Sequence, residues 1–246
     1  MLQIIGKTDV GKVRKTNQDD YAYGYLPDGA VWAVVCDGMG GANGGSVASS
    51  MAVRAITDSI QKQYTGQADA ASVRALLFDA LSDANTQVHV KARQDISLYG
   101  MGTTVVACIA TADVLFVAHA GDSRAYLLDA QATQLTRDHS VVQEMVESGQ
   151  LTAEEARNHP NKNIITRALG VEPSLKIDFG EHAFPKGAGV LLCSDGLSNL
   201  VEDETFVQAM REDLEGAAEK LTALANEKGG TDNITVVMIV NRCDQE

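Results

Sequence analysis

The chain has 246 residues, 33 acidic against 20 basic, for a formal charge of -13, and 45% of it is hydrophobic. That length fits one large domain or two small ones, and the composition fits a globular protein that buries one core. The acidic balance argues against nucleic acid or an anionic membrane surface as partner, since both demand a positive footprint.

In chain order, the first strand-length apolar run is 31–36 (VWAVVC), preceded by LPDGA at 26–30, which reads as a hairpin turn. Residues 46–64 have helical period, with Val47, Met51, Ala55 and Ile60 on one face. Residues 70–93 carry Val73, Leu76, Leu77, Ala80, Leu81, Ala84 and Val88 in the same manner. Strand-like runs follow at 103–110, 114–120 and 125–128, and DAQA at 129–132 reads as a second turn. Residues 139–170 differ: short helices around Val142, Met145 and Val146 and at 153–157 precede NHPNKN, so this segment reads as a small helical flap. A strand at 190–193, a helix at 214–228 stopped by Gly229-Gly230, and a strand at 234–240 complete the chain. Runs of like elements, instead of strict βαβ alternation, predict one α+β layered domain over 1–246 with antiparallel sheets.

No apolar run approaches the ~20 residues that span a bilayer, and MLQIIGKTDVGK lacks the layout of a signal peptide. The four cysteines form no CxxC pair, and Cys36, Cys108 and Cys193 sit in apolar runs as small buried hydrophobes. A cytoplasmic location is expected. The five histidines show no zinc-ligand spacing, and His119 and His139 read as structural.

Four acidic residues fall at strand ends or in adjoining glycine turns. Asp37-Gly38 closes VWAVVCDG, Asp195-Gly196 closes VLLCSDG, Asp122 follows VAHAG, and Asp232 lies in GGTDN before ITVVMIV. Any one Asp-Gly pair is adequately explained as turn chemistry. As a set they point to carboxylates aimed by rigid sheets at one place, with glycine letting a carbonyl approach a ligand. Oxygen donors without cysteine or histidine suit Mg²⁺ or Mn²⁺. Two such ions about 4 Å apart could share a carboxylate and activate a bridging water. In GKVRKTNQDD, Arg14 lies five residues before Asp19, which would set a phosphate-gripping guanidinium beside a candidate ligand. Taken singly, Arg14 is a surface arginine.

The segments DVGKVRKTNQD, VVCDGMGGANGG, GMGTTVVACI, HAGDSRAYLL, LTRDHS, ITRALG, LLCSDGLSNL and GGTDNITVV, in this order, resemble the PPM or PP2C family of metal-dependent protein phosphatases in its compact bacterial form. The resemblance implies a four-layer α/β/β/α sandwich and a serine/threonine protein phosphatase. It implies that a hydroxide bridging two core Mn²⁺ or Mg²⁺ ions attacks phosphorus with no phosphoenzyme. Asp37 would bridge the two ions, helped by the Gly38 carbonyl; Asp195 and Asp232 would bind one of them, and Asp19 would act through water. Asp122 with Asp195 would hold a third, weaker ion, and Arg14 would bind phosphate. The partners implied are phosphoproteins, opposing a Ser/Thr kinase in signalling, with no nucleic acid and no membrane. Two departures stand out: Gln18 replaces a glutamate, which predicts slightly weaker metal binding, and Met39 replaces the histidine of eukaryotic members, so it cannot protonate a leaving group.

Other residues have plain readings. Thr103-Thr104 shape a strand near the cleft, Ser194 lacks a GxSxG elbow, and GMGG at 38–41 lacks a P-loop lysine. The main alternative is a pseudophosphatase that binds phosphoproteins as a regulatory module; the presence of every metal aspartate argues against it. A hydrolase of small phosphate esters is a second alternative.

Overall fold

The near-uniform apolar runs have a structural cause: both faces of the strands they form are covered. The computed structural model describes residues 1–41, 44–66 and 69–242. Its first half contains β1 (Leu2–Asp9), β2 (Asp19–Tyr25), β3 (Val31–Met39), α1 (Gly44–Gln63), α2 (Ala70–Gln94), β4 (Gly102–Thr103), β5 (Val105–Ala110) and β6 (Val114–Ala120). Then come β7 (Arg124–Leu128), β8 (Ala132–Gln134), α3 (Val141–Glu147), α4 (Ala153–Arg157) and β9 (Asp178–Ala183). The chain ends with β10 (Gly189–Cys193), α5 (Asp195–Ser198), α6 (Asp203–Glu212), α7 (Leu214–Glu227) and β11 (Ile234–Asn241).

The strands form two antiparallel sheets, ordered β1-β11-β10-β7-β8 and β2-β3-β5-β6-β9, with β4 pairing the end of β3. Alternation along each strand divides its side chains between two cores. In β3, Val31, Ala33 and Val35 point between the sheets, whereas Trp32, Val34 and Cys36 pack beneath α1 and α2. In β11, Val237 and Ile239 face the other sheet, whereas Val236 and Met238 lie beneath α7. The result is the expected α/β/β/α stack. Each buried Val, Leu or Phe contributes roughly 1.5–3 kcal/mol, so a charge on either face of these strands is excluded.

Several expectations need correction. The buried face of α1 is Ala48, Ala52, Ile56 and Ile60, while Val47, Met51 and Ala55 sit at its margins. Small residues let this helix lie close on the sheet, and the larger ones flank the contact. The 103–110 run is not one strand. It breaks at Thr104, whose amide turns to the Asp37 carbonyl at 2.8 Å. Strands β1, β2 and β9 and helix α6 carried no apolar run distinctive enough to be foreseen.

The segment 139–170 carries two short helices, α3 and α4, and its two ends are joined. Val141 donates to the Ile164 carbonyl at 2.9 Å and Thr166 to that of His139 at 2.7 Å. A capping box between Thr152 and Glu155 starts α4. Cys36, Cys108 and Cys193 are free and buried, and Cys243 lies outside the described residues. Among the described residues no helix is long and apolar enough to cross a membrane.

Backbone segments approach one another closely where the acidic residues gather. An ideal Cβ at Gly196 would sit 1.9 Å from the Asn233 carbonyl oxygen, and one at Gly38 would sit 2.1 Å from that of Gly45. Gly196→Ala is therefore predicted to destabilise the fold by at least about 2 kcal/mol in urea unfolding, as overpacking does. A stability within about 0.5 kcal/mol of the parent would contradict this close approach.

Candidate metal centre

Each aspartate is delivered by a different connection. The β2–β3 pairing sets Asp19 directly opposite Asp37. Asp37 is fixed through its own backbone: its amide donates to Thr104 Oγ1 at 3.0 Å, and its carbonyl accepts from Thr103 Oγ1 at 2.8 Å. Asp122 occupies the turn between β6 and β7, Asp195 opens α5 at the end of β10, and Asp232 precedes β11. Asp37, Asp122, Asp195 and Asp232 line one open cleft of about 330 Å³, together with Arg14, Gln18, Gly38 and Met39. Both sheets and the flap contribute to its walls.

Asp19 stands behind this wall. Its Oδ2 accepts from Ser194 Oγ and Thr235 Oγ1, both at 2.7 Å, while its buried Oδ1 has no hydrogen-bond partner. Asp195 is similar: Asn199 donates to its Oδ2 at 3.0 Å, and its buried Oδ1 is unpartnered. Burial, then the repulsion of neighbouring carboxylates, raises these acids. Asp19 is pushed up to about 7 despite its two hydroxyl donors, and Asp122 to about 8. Asp195 is pushed up to about 6, with Arg124, Arg14 and Lys162 partly offsetting Asp232. Asp37 is raised well above the carboxylate range by burial and by Asp19 and Asp195. A cluster of hard oxygen donors, short of protein cations and with two orphaned buried oxygens, fits divalent ions.

Arg14 bonds an acid far from it in sequence. Its Nη2 donates to Asp232 Oδ2 at 2.7 Å, and the guanidinium is half-exposed on the cleft rim. Residues 10–18 loop across to the start of β11, which sets Arg14 against Asp232. Asn233 organises that loop, and the reading of GGTDN had overlooked it. Asn233 Nδ2 donates to the carbonyls of Val10 at 2.9 Å and Thr16 at 3.0 Å, and its Oδ1 accepts from the Gln18 amide at 2.8 Å. Thr104 was another missed link. Its Oγ1 lies 2.6 Å from Ser123 Oγ, coupling the turn of Asp122 to Asp37. Ser194 and Thr235, which hold Asp19, form a further link. Their signal, hydroxyls adjoining Asp195 and opening the last strand, is too common to read alone.

A second set of ligand-type atoms, from His119, His139 and Asp178, lies within 4.8 Å. Arg167 takes the place of a cation there, with Nη1 donating to Asp178 Oδ1 at 2.8 Å and lying 2.9 Å from His139 Nε2. The His139 ring stacks on His119, and its Nδ1 accepts from the Gly121 amide at 3.1 Å. Burial lowers His139 to about 4, so the ring stays neutral and can accept. This cluster ties the flap root to the turn bearing Asp122.

A family model described as protein phosphatase 2C matches residues 11–227. The chain is 40% identical over 237 residues to the serine/threonine phosphatase stp of Listeria welshimeri, covering 95% of this chain and 93% of that one. The structure of the S. agalactiae serine/threonine phosphatase superposes with a TM-score of 0.91 at 33% identity, covering 98% of this chain and 99% of that one. The catalytic domain of the serine/threonine protein phosphatase PstP, solved in complex with 2 manganese ions, superposes with a TM-score of 0.83 at 33% identity and 97% coverage of both chains.

The raised acids set a pH dependence. A carboxyl whose folded pKa exceeds its unfolded value binds protons more tightly when folded, so its contribution to stability falls as pH rises through the folded pKa. In chelator, the melting temperature is therefore expected to fall as pH rises through about 6, 7 and 8, as Asp195, Asp19 and Asp122 lose their protons. Added Mn²⁺ is expected to replace those protons, so its stabilising effect should grow from acidic to alkaline pH. Thermal melts with and without Mn²⁺ across this range measure both, and a pH-independent gain would contradict the assignment.

Proposed function

We propose how the work of catalysis is divided in this chain, which belongs to the protein phosphatase 2C family and is a metal-dependent serine/threonine protein phosphatase. The observation that carries the proposal is the convergence of Asp37, Asp122, Asp195 and Asp232 on one cleft, with buried carboxylate oxygens left unpartnered. Asp37, Asp195 and Asp232, with the Gly38 carbonyl, would hold two divalent ions, Mn²⁺ or Mg²⁺. Asp122 with Asp195 would hold a third, weaker one. When bound, such ions supply positive charge against the phosphoryl oxygens and lower the pKa of attacking water.

The chain's own residues do the rest. Asp19, opposite Asp37 and held by two hydroxyls, adds negative charge behind the cleft without occupying it. Arg14, on the rim, exchanges its bond to Asp232 for the equatorial oxygens of the phosphoryl group and orients it for in-line attack. Thr104 Oγ1, a hydroxyl lining the cleft, is engaged by the Asp37 amide and Ser123. One-step hydrolysis without a phosphoenzyme is the course the family resemblance implies, and carboxylates committed to cations are in keeping with it. Met39 lines the cleft but cannot donate a proton, so the leaving alkoxide takes its proton from solvent in this open site. Gln18 also lines the cleft, bringing an amide but no charge where a carboxylate would strengthen cation binding. The substrates are phosphoserine and phosphothreonine proteins made by an opposing kinase, and the reducing cytoplasm suits the free thiols of Cys36, Cys108 and Cys193. A pseudophosphatase role has no support.

Two substitutions test the division. Asp37→Asn is expected to reduce Mn²⁺ retention and to lower turnover of a phosphothreonine peptide at least about 100-fold, since an electrostatic group central to the transition state is lost. Arg14→Ala should lower kcat/KM by about 10- to 100-fold, the range of a charge-assisted hydrogen bond, while leaving metal content unchanged. Metal analysis beside steady-state kinetics gives both readouts. Near-parental values for Asp37→Asn would remove the metal assignment.

A further inference from the structure

Beside the metal cleft lies a second depression, of about 260 Å³, with mainly apolar walls formed by Met39, Ile165, Ala168, Val171 and Leu175. Met39 and Ile165 line both spaces, so the groove opens directly into the cleft. Its outer wall is built firmly. Thr103 and Leu169 exchange backbone hydrogen bonds of 3.0 and 2.8 Å. Asn85, 1% exposed, commits its carboxamide to the turn beyond: Oδ1 accepts from the Gly170 amide at 2.7 Å, and Nδ2 donates to the Glu172 carbonyl at 3.1 Å. Gly170, at φ +90°, lies so close to α2 that a Cβ there would sit 2.3 Å from Val88 Cγ1. Val171 is thus held 43% exposed on a fixed turn, facing a preformed apolar recess beside the site of chemistry.

We infer that this groove receives an aliphatic side chain of the phosphoprotein substrate, close in sequence to the phosphoserine or phosphothreonine. The inference rests on the phosphatase reading of the adjoining cleft, through which every substrate chain must pass. An extended chain advances about 3.3 Å per residue, so a groove sharing its wall with the cleft reaches a residue within about three positions of the phosphorylated one. The volume admits a Leu, Ile or Met side chain. The lining also carries Glu172, Lys176 and Arg167, the last already ion-paired with Asp178 at 2.8 Å, so the apolar walls decide what enters. Binding energy gained there, away from phosphorus, favours protein substrates over small esters.

The test walks a single leucine through the three positions on each side of phosphothreonine in an otherwise Ser/Gly peptide, with Mn²⁺ present, and reads kcat/KM. One register is expected to exceed the leucine-free peptide by about tenfold or more, equivalent to about 1.4 kcal/mol. Val171→Asp and Leu175→Asp are expected to reduce that preference to within twofold while p-nitrophenyl phosphate turnover stays at the parental rate. Val171→Leu should keep the preference. Circular dichroism confirms folding, and if Leu175→Asp fails to fold, Val171→Asp at its half-exposed position decides. A flat leucine profile with normal small-ester turnover overturns the groove alone. Absence of metal-dependent turnover of both substrates overturns the cleft reading and the groove with it.

Discussion

Mutual repulsion among carboxylates held out of bulk water is the constraint to which this architecture responds. Two unit charges 4 Å apart repel by about 4 kcal/mol at the effective dielectric of a protein site. Asp19, Asp37, Asp122 and Asp195 cannot all ionise cheaply in such surroundings, and burial raises each of them. Protons can relieve the strain at low pH. Hard cations held there would relieve it at working pH and would bring with them the charge that phosphoryl transfer requires. Structural burden and catalytic means are one arrangement.

The fold sustains that arrangement by fixing the carboxylates from independent directions. Asp19 and Asp37 face one another across a hairpin, Asp232 lies at the entry of a strand from the opposing sheet, and Asp195 starts the short helix beside it. Hydroxyls of Ser194 and Thr235 bind Asp19 from the second sheet, so the two sheets meet at this acid. Glycines at 38 and 196 admit backbone where any side chain would collide. The His139 ring holds the Asp122 turn to the root of the flap, so the flap and the acid cluster form one continuous structure.

Much of this was legible in the sequence because it was written in local patterns. Strands covered on both faces left unbroken apolar runs, and runs ending in Asp-Gly announced the site. What escaped notice depended on pairing distant in sequence. β1 is half polar and becomes a strand by pairing with β11, while β2 is an edge strand of acids and tyrosines. The α1 face was misjudged because alanine, a weak hydrophobic signal, sits at the closest contact. The bond from Arg14 to Asp232 could not be read locally, since its partner is 218 residues away, and Asn233, which brings the two together, is an ordinary polar residue until its three backbone bonds are seen.

The central claim is that protons and divalent cations compete for one cluster of buried acids. Titrating the protein with Mn²⁺ by calorimetry near pH 7, in buffers of differing ionisation heat, measures both the ions bound and the protons expelled. The account predicts at least two ions per chain, with net proton release that shrinks as pH rises past 8. Saturable binding without proton release, or no binding at all, would contradict it.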